Sequence, residues 1–303
     1  MKEYDIYFDT LRIDKSPKTV TSYEWILGAF VKHFGIESVD DIAKITANDI
    51  QEYLNILATN PNAKNKDTAK ASANAHGRVI KAWLNWLASK KYIAENPFTK
   101  DVKKFKEAKT VKVFFNKEER DNIIYACRKK LWLQVTMALL FYTGLRREEI
   151  TNLKKSDFYG DHVLAHRKGN KEQKLYFPPF VGNLVQQYLS KRKDDSEYLL
   201  VGIRTYDKIS EGSLNGRVKE ACAMANVDED VIAKTGAHTI RRSFACILFI
   251  DGWSSFAIQE ALGHSNISIT ERYISPAKAF VSGQAMKSQS APSWAQEDED
   301  NDE

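Results

Sequence analysis

Cysteine is scarce in this chain of 303 residues: there are three, Cys127, Cys222 and Cys246, an odd set with no CxxC pair. That excludes a disulfide framework, and the apolar, helix-like context of each reads as a buried free thiol in a reducing compartment. Long hydrophobic runs are missing too. No stretch approaches the roughly 18 apolar residues a membrane helix needs, and the opening "MKEYDIYFDTLRIDKSPK" lacks the uninterrupted apolar core of a signal peptide. The expectation is a cytoplasmic protein with no membrane partner. No internal repeat is visible.

The small charge excess hides an asymmetry. Lys and Arg number 45 against 40 acids, but the last seven residues, "EDEDNDE", hold six of those acids, so residues 1–296 carry +11 rather than +5. A clearly basic folded part favours a polyanionic partner, and the acidic tail, residues 292–303, is expected to be disordered.

The first hundred residues predict a small helical bundle. Ser16 caps a helix with Pro17 at its first position; Val20, Tyr23, Leu27, Phe30, Val31 and Phe34 line one stripe, and Gly35 ends it. Thr46 and Asp49 have capping-box spacing. "KDTAKASANAHGRVIKAWLNWLASKK" predicts a long helix with Val79, Ile80, Trp83, Leu84 and Leu87 on its apolar face. Residues 1–99 then form one domain. Residues 100–112, with Lys100, Lys103, Lys104, Lys106, Lys109 and Lys112 and few apolar side chains, read as a basic linker. Lys64, Lys66 and Lys70, with Lys103, Lys104, Lys106 and Lys109, are candidate contacts to a nucleic-acid backbone.

A second domain, 113–276, opens with Asn116 as a cap for "KEERDNIIYACRKK" and continues into the apolar helix "LWLQVTMALLFYTG", ending at Gly144. "HVLAHRKGNKEQKLYFPP" predicts a β-hairpin around Gly169–Asn170. Beyond it the chain reads helical again, with a loop at "GIRTYDKISEG". His162 and His166 sit on the predicted strand without the cysteine or carboxylate partners that would complete a metal site, so no metal ligand is assigned.

Four stretches carry chemistry: "TGLRREEI", the "RKGNK" hairpin, "HTIRRSFA" and "LGHSNISITERY". In this order and spacing they resemble the tyrosine site-specific recombinases, the integrase and Xer family, and the resemblance runs from about Lys15 to Tyr273. It implies a mainly α fold with a small β-hairpin: a helical core-binding domain followed by a mixed α/β catalytic domain. Residue by residue, the family's first arginine falls on Arg146, its hairpin lysine on Lys168, its His-x-x-Arg pair on His238 and Arg241, its second histidine on His264 and its nucleophile on Tyr273. Lys168 is preferred over Lys171 and Lys174 because it precedes Gly169–Asn170. Arg147 and Arg242 depart from the residues common in the family.

The types fit phosphoryl chemistry. Guanidinium groups meet two phosphate oxygens without changing protonation state, so Arg146 and Arg241 are expected to clamp the scissile phosphate, with His264 as a further donor and Glu149 in support. A phenol is mostly protonated near neutral pH, and His238 is the candidate base. Attack by Tyr273 implies a 3′-phosphotyrosyl link, with Lys168 protonating the leaving 5′ oxygen; neither ATP nor a metal is required.

The resemblance further implies strand exchange through a Holliday junction by four protomers on two sites of double-stranded DNA. The free protein is expected to be a monomer, nucleoid-associated in a prokaryote, and accessory proteins remain open. Residues 277–291, with Phe280 and Val281, are expected to dock in trans. The chain starts at the core-binding helices with no apparent arm-binding domain before them, which favours a simple recombinase or short-site integrase; integration or excision of a mobile element and dimer resolution are the expected tasks. The alternatives are a type IB topoisomerase-like enzyme and a non-catalytic architectural DNA-binding protein.

Overall fold

The computed structural model describes residues 1–63, 66–107, 112–167 and 171–287. Lys64, Lys109, Lys168, the Gly169–Asn170 turn and the acidic tail lie outside the described residues. The chain divides into two compact units, Met1–Thr110 and Val111–Glu303.

The first unit consists of α1 (Lys2–Asp14), α2 (Pro17–Phe34), the single turn α3 (Val39–Ile42), α4 (Ala47–Ala58) and α5 (Lys66–Ser89). The caps sit where the sequence puts them. Ser16 Oγ accepts from the Thr19 amide at 3.4 Å, and Thr46 and Asp49 form a capping box at the start of α4. Trp83 on α5 is fully buried and meets Tyr4 and Phe30 edge-on. The amphipathic stripe of α2 and the apolar face of α5 therefore close one core. Helix α1, not anticipated from the sequence, adds Tyr7, Phe8 and Leu11 to it.

The basic stretch is not a free linker along its whole length. Val102 is buried in the bundle core, and the Lys103 amide donates to Gln51 Oε1 on α4 at 2.7 Å. Asn74 on α5 takes both polar groups of the Phe105 backbone, accepting from its amide at 2.9 Å and donating to its carbonyl at 3.0 Å. One buried amide side chain thus replaces the missing ladder of a regular element. It also holds Lys104 and Lys106 beside α5, one turn from Lys70.

The second unit contains α6 (Lys117–Ala126), α7 (Leu131–Thr143), α8 (Arg147–Asn152), β1 (His162–Arg167), β2 (Lys171–Tyr176), α9 (Pro179–Lys191), α10 (Glu211–Met224), α11 (Glu229–Ala233), α12 (Ala237–Ile250), α13 (Ser255–Leu262) and α14 (Ile267–Lys287). Helix α7 is apolar all round and almost wholly buried, the mark of a central helix; α6, α9, α10 and α12 pack on it. The antiparallel pair β1–β2 runs in register from His162 opposite Tyr176 to Arg167 opposite Lys171. The fold is mainly helical with one two-stranded sheet among the described residues. All three cysteines are buried free thiols, and no helix among the described residues is long and apolar enough to cross a membrane.

The sequence boundary at residue 276 falls inside α14, which continues through Pro276 to Lys287. Ala277 is fully buried, and the Phe280 ring lies edge-on to Phe114 of the same chain at 6.0 Å. The start of the C-terminal segment is therefore part of this unit's own packing, because its apolar residues continue the face that α14 lays on α12.

Candidate active site

Three helix ends bring the motifs together. Helix α7 stops at Gly144, in the left-handed conformation at φ 57°. Arg146 follows as the N-cap of α8, its amide donating to Glu149 Oε2 at 2.7 Å. Helix α13 stops at Gly263, also left-handed, and the His264 amide returns to the Gln259 carbonyl at 3.0 Å. This Schellman-type ending fixes where His264 points.

The carbonyls at the end of α13 have no partner within the helix. Side chains from four other places reach four consecutive ones, the first of which, that of Glu260, also accepts from the Gly263 amide at 2.9 Å. Gln173 Nε2 donates to Glu260 O at 2.9 Å, Arg167 Nη2 to Ala261 O at 3.4 Å, Arg241 Nη2 to Leu262 O at 2.6 Å and Arg146 Nη2 to Gly263 O at 2.9 Å. The negative end of the helix dipole thus gathers three guanidinium groups. Glu149 balances part of that charge: Oε1 accepts from Arg146 Nη1 at 2.6 Å, Oε2 accepts from Arg167 Nη1 at 2.7 Å, and Arg241 Nη1 is 3.9 Å from Oε2. Although burial opposes it, hydrogen bonds from Arg146 and the nearby Arg167 hold the Glu149 carboxyl below its usual range, so it is ionised at neutral pH.

The two arginines of the expected clamp differ sharply. Arg146 keeps 36% of its side chain exposed, whereas Arg241 keeps 1%. Arg241 also donates to the Gly144 carbonyl and, from Nη2, to His264 Nε2 at 3.1 Å. Because arginine has no acceptor, His264 Nε2 must accept here; His264 therefore carries its proton on Nδ1, 3.0 Å from Thr270 Oγ1. His264 Nε2, the atom expected to donate to a phosphate, is engaged by Arg241 in this arrangement.

Tyr273 is half-buried on α14, with its ring 5.2 Å from that of His264. The Cys246 thiol lies 3.3 Å from its carbonyl. His238, in the first turn of α12, is exposed and makes no hydrogen bond or ring contact with Tyr273 among the described residues. Partial desolvation, then Arg147, Arg241 and Arg242, push its imidazole below the ordinary value against the pull of Glu211, which leaves it neutral at pH 7. Asn215 on α10 seats this helix start, accepting from the Ala237 amide at 3.0 Å. Arg147 pairs with Glu211, and Arg242 donates to the Val113 carbonyl at 2.7 Å. The two departures from the family pattern thus have structural partners. His162 and His166 pair separately, with Asp161 and Asp157.

Arg167 and Gln173 escaped the sequence reading. Arg167 had a signal: on β1 it shares a face with the buried Val163 and Ala165, so a charge there points inward.

Residues 113–279 match the phage integrase family. The chain belongs to that family. It is a tyrosine site-specific recombinase, an enzyme that cleaves and rejoins DNA. The tyrosine recombinase XerC of Bacillus pumilus (strain SAFR-032) is 25% identical over 288 residues, covering 88% of this chain and 90% of that protein. The tyrosine recombinase XerA of Thermococcus kodakarensis (strain ATCC BAA-918 / JCM 12380 / KOD1) is 37% identical over 145 residues, 46% of this chain and 49% of that protein. Among solved structures, a lambda integrase (residues 75–356) dimer bound to a COC′ core site has the same fold, with TM-score 0.69 and 17% identity over 90% of this chain and 94% of that one.

Two predictions follow from the helix ends of this recombinase. A Cβ at Gly144 would lie only 2.3 Å from Phe244 Cδ1, besides requiring the left-handed conformation. Gly144→Ala should cost about 3 kcal/mol from overlap and strain together and lower the melting temperature by roughly 10 °C, read by calorimetry.

His264 sets a pH dependence. Burial, then Arg241, Arg146 and Arg167, push its pKa down to about 3. An unfolded histidine takes up its proton near pH 6.5, so between the two values the unfolded state binds more protons. Stability should therefore fall as pH drops below about 6.5, by up to ~1.4 kcal/mol per pH unit from this group. Urea unfolding of wild type and His264→Gln between pH 7 and pH 5 checks it; the variant should show the shallower slope.

Proposed function

We propose that this recombinase breaks the DNA backbone with Tyr273, forming a 3′-phosphotyrosyl link, and exchanges strands through a Holliday junction in integration, excision or dimer resolution. The observation that carries the reading is the cluster of Arg146, Arg241 and His264 assembled on the end of α13, with the Tyr273 ring against His264. Three guanidinium groups against one carboxylate leave two positive charges. A phosphodiester approaching its phosphorane gains a second negative charge, which this surplus matches.

Arg146, the exposed member, meets the phosphate first. The bond between Arg241 and His264 then gives way to bonds from each to the non-bridging oxygens. For His264 this needs only a tautomer exchange: its proton moves to Nε2 while the Thr270 hydroxyl turns to donate to Nδ1. His238, neutral at pH 7, accepts the Tyr273 proton once DNA has drawn the two together. Lys168, assigned from its motif, protonates the leaving 5′ oxygen. The covalent link conserves the bond energy, so resealing needs no external energy source.

Double-stranded DNA is the substrate, with four protomers working on two sites and the free protein a monomer. The first unit would track the backbone with Lys66, Lys70, Lys103, Lys104 and Lys106, together with Lys64 and Lys109. Phe280 and Val281, about 40% exposed near the end of α14, would be covered by a neighbouring subunit.

The test mixes the protein with fragmented DNA of its own replicon, nicked to trap cleavage, in EDTA. After denaturation and protease digestion, the DNA-linked peptide should contain Tyr273 attached to a 3′ phosphate. Attachment through another residue, or to a 5′ phosphate, would overturn the reading.

A further inference from the structure

Arg167, the first residue of the "RKGNK" stretch, is the charged side chain of the cluster to which the motifs assign no role. It is 7% exposed and joins three separate pieces of the site. Its Nη1 donates to Glu149 Oε2 at 2.7 Å, its Nη2 to the Ala261 carbonyl of α13 at 3.4 Å, and its Nε to Gln173 Oε1 on β2 at 3.1 Å. Gln173 in turn donates to the Glu260 carbonyl at 2.9 Å. The fit is close: a Cβ at Gly263 would lie 3.1 Å from Arg167 Nε. The hairpin is thereby fastened to both the Glu149 helix and the end of α13.

The consequence for chemistry is electrostatic. Glu149 is the one carboxylate within ion-pair distance of Arg146, Arg167 and Arg241 among the described residues. Without Arg167, its charge would be shared by the two arginines that must meet the phosphate. Arg241 Nη1, already 3.9 Å from Oε2, would close on it, and the existing 2.6 Å bond from Arg146 to Oε1 would strengthen without a competing cation. Two guanidiniums committed to a buried carboxylate are poor phosphate ligands, because the new bonds would have to replace an ion pair in a low-dielectric setting.

We propose that Arg167 is a positioning residue for cleavage: it takes up part of the Glu149 charge and anchors the α13 terminus, so that Glu149 does not hold Arg146 and Arg241 too tightly for them to turn to the scissile phosphate. The inference rests on the function proposed above, and it touches neither the nucleophile nor the proton transfers. It makes a distinctive demand. If Arg167 works by freeing cationic groups for an anionic centre, its importance should shrink when that centre is neutral.

The experiment compares wild type, Arg167→Met and Arg167→Lys in single-turnover cleavage of the nicked duplex that wild type captures, made with either an ordinary scissile phosphate or a methylphosphonate in its place. Arg167→Met should slow the phosphodiester roughly 100-fold but the methylphosphonate less than about 5-fold, relative to wild type on each. Arg167→Lys, which keeps a charge beside Glu149, should fall between. Equal slowing of both substrates would mean a merely structural role and would overturn the proposal.

A DNA-free measurement separates this from failure of the functional reading. Urea midpoints of Arg167→Met, Glu149→Gln and the double variant should be non-additive, with the double variant less destabilised than the sum. Additive midpoints would overturn the proposal even if wild type captured no DNA.

Discussion

Tyr273→Phe is expected to abolish covalent attachment to DNA, a loss of more than about 10,000-fold in cleavage, while leaving fold and DNA affinity intact. The asymmetry comes from where the hydroxyl sits. Tyr273 is half-buried, its ring packs on His264, and its phenol oxygen has no hydrogen-bond partner among the described residues. Phenylalanine keeps the ring contact and breaks no bond, so stability should move by no more than about 0.5 kcal/mol. The measurement is adduct formation on nicked duplex alongside a gel-shift titration and a urea melt. An adduct that persists in Tyr273→Phe would remove Tyr273 as nucleophile, and loss of DNA binding would assign the residue a structural role instead.

Arg241→Lys should lose both rate and stability, and Arg146→Lys only rate. Arg241 is enclosed and serves three acceptors, the Gly144 and Leu262 carbonyls and His264 Nε2, which belong to two different motifs. A lysine carries one compact ammonium and cannot span the ends of α7 and α13 at once. At least one buried carbonyl would be left without a donor, costing about 2–4 kcal/mol with the lost ion-pair geometry. Burial, then the proximity of Arg146, already lowers the Arg241 pKa, so the site is costly to charge, and it retains a guanidinium because that group stays protonated regardless. Arg146 is open to solvent, so its lysine variant should stay within about 1 kcal/mol of wild type. Cleavage should fall roughly 100- to 1,000-fold in each, since each removes a planar donor from the developing charge. Urea unfolding with single-turnover cleavage checks the contrast. Equal destabilisation by the two variants would contradict the division of labour read from their burial.

Arg241 acts twice: it holds together the ends of two helices, and it is proposed to turn the same fork toward the phosphate when DNA displaces His264. A residue with both duties cannot drift without cost to folding as well as to reaction. Arg146, with an ion pair to Glu149 and one bond to Gly263, would answer to its proposed contact with the phosphate more than to folding.

Much of this was legible in the chain alone, because the signals are local. Ser16–Pro17, Thr46 with Asp49, and Asn116 with Glu119 mark helix starts through atoms three residues apart. Gly144 and Gly263 end helices because they adopt a backbone conformation other residues resist. The order of the four motifs identified the family, and with it the residues to watch.

The sequence by itself determined the helical bundle, the hairpin, the basic surface and the residue types for phosphoryl transfer. Tertiary structure decided the rest. Only packing could show that Lys103 and Phe105 are tied to Gln51 on α4 and Asn74 on α5, that Arg241 is enclosed while Arg146 is more open, and that His264 accepts from Arg241 at Nε2. It alone revealed Arg167 as the partner of Glu149, 18 residues away. The physical reason is range. Capping and periodicity act within a turn or two of the chain, whereas unsatisfied carbonyls and buried charges are settled by whichever side chains the fold brings to them.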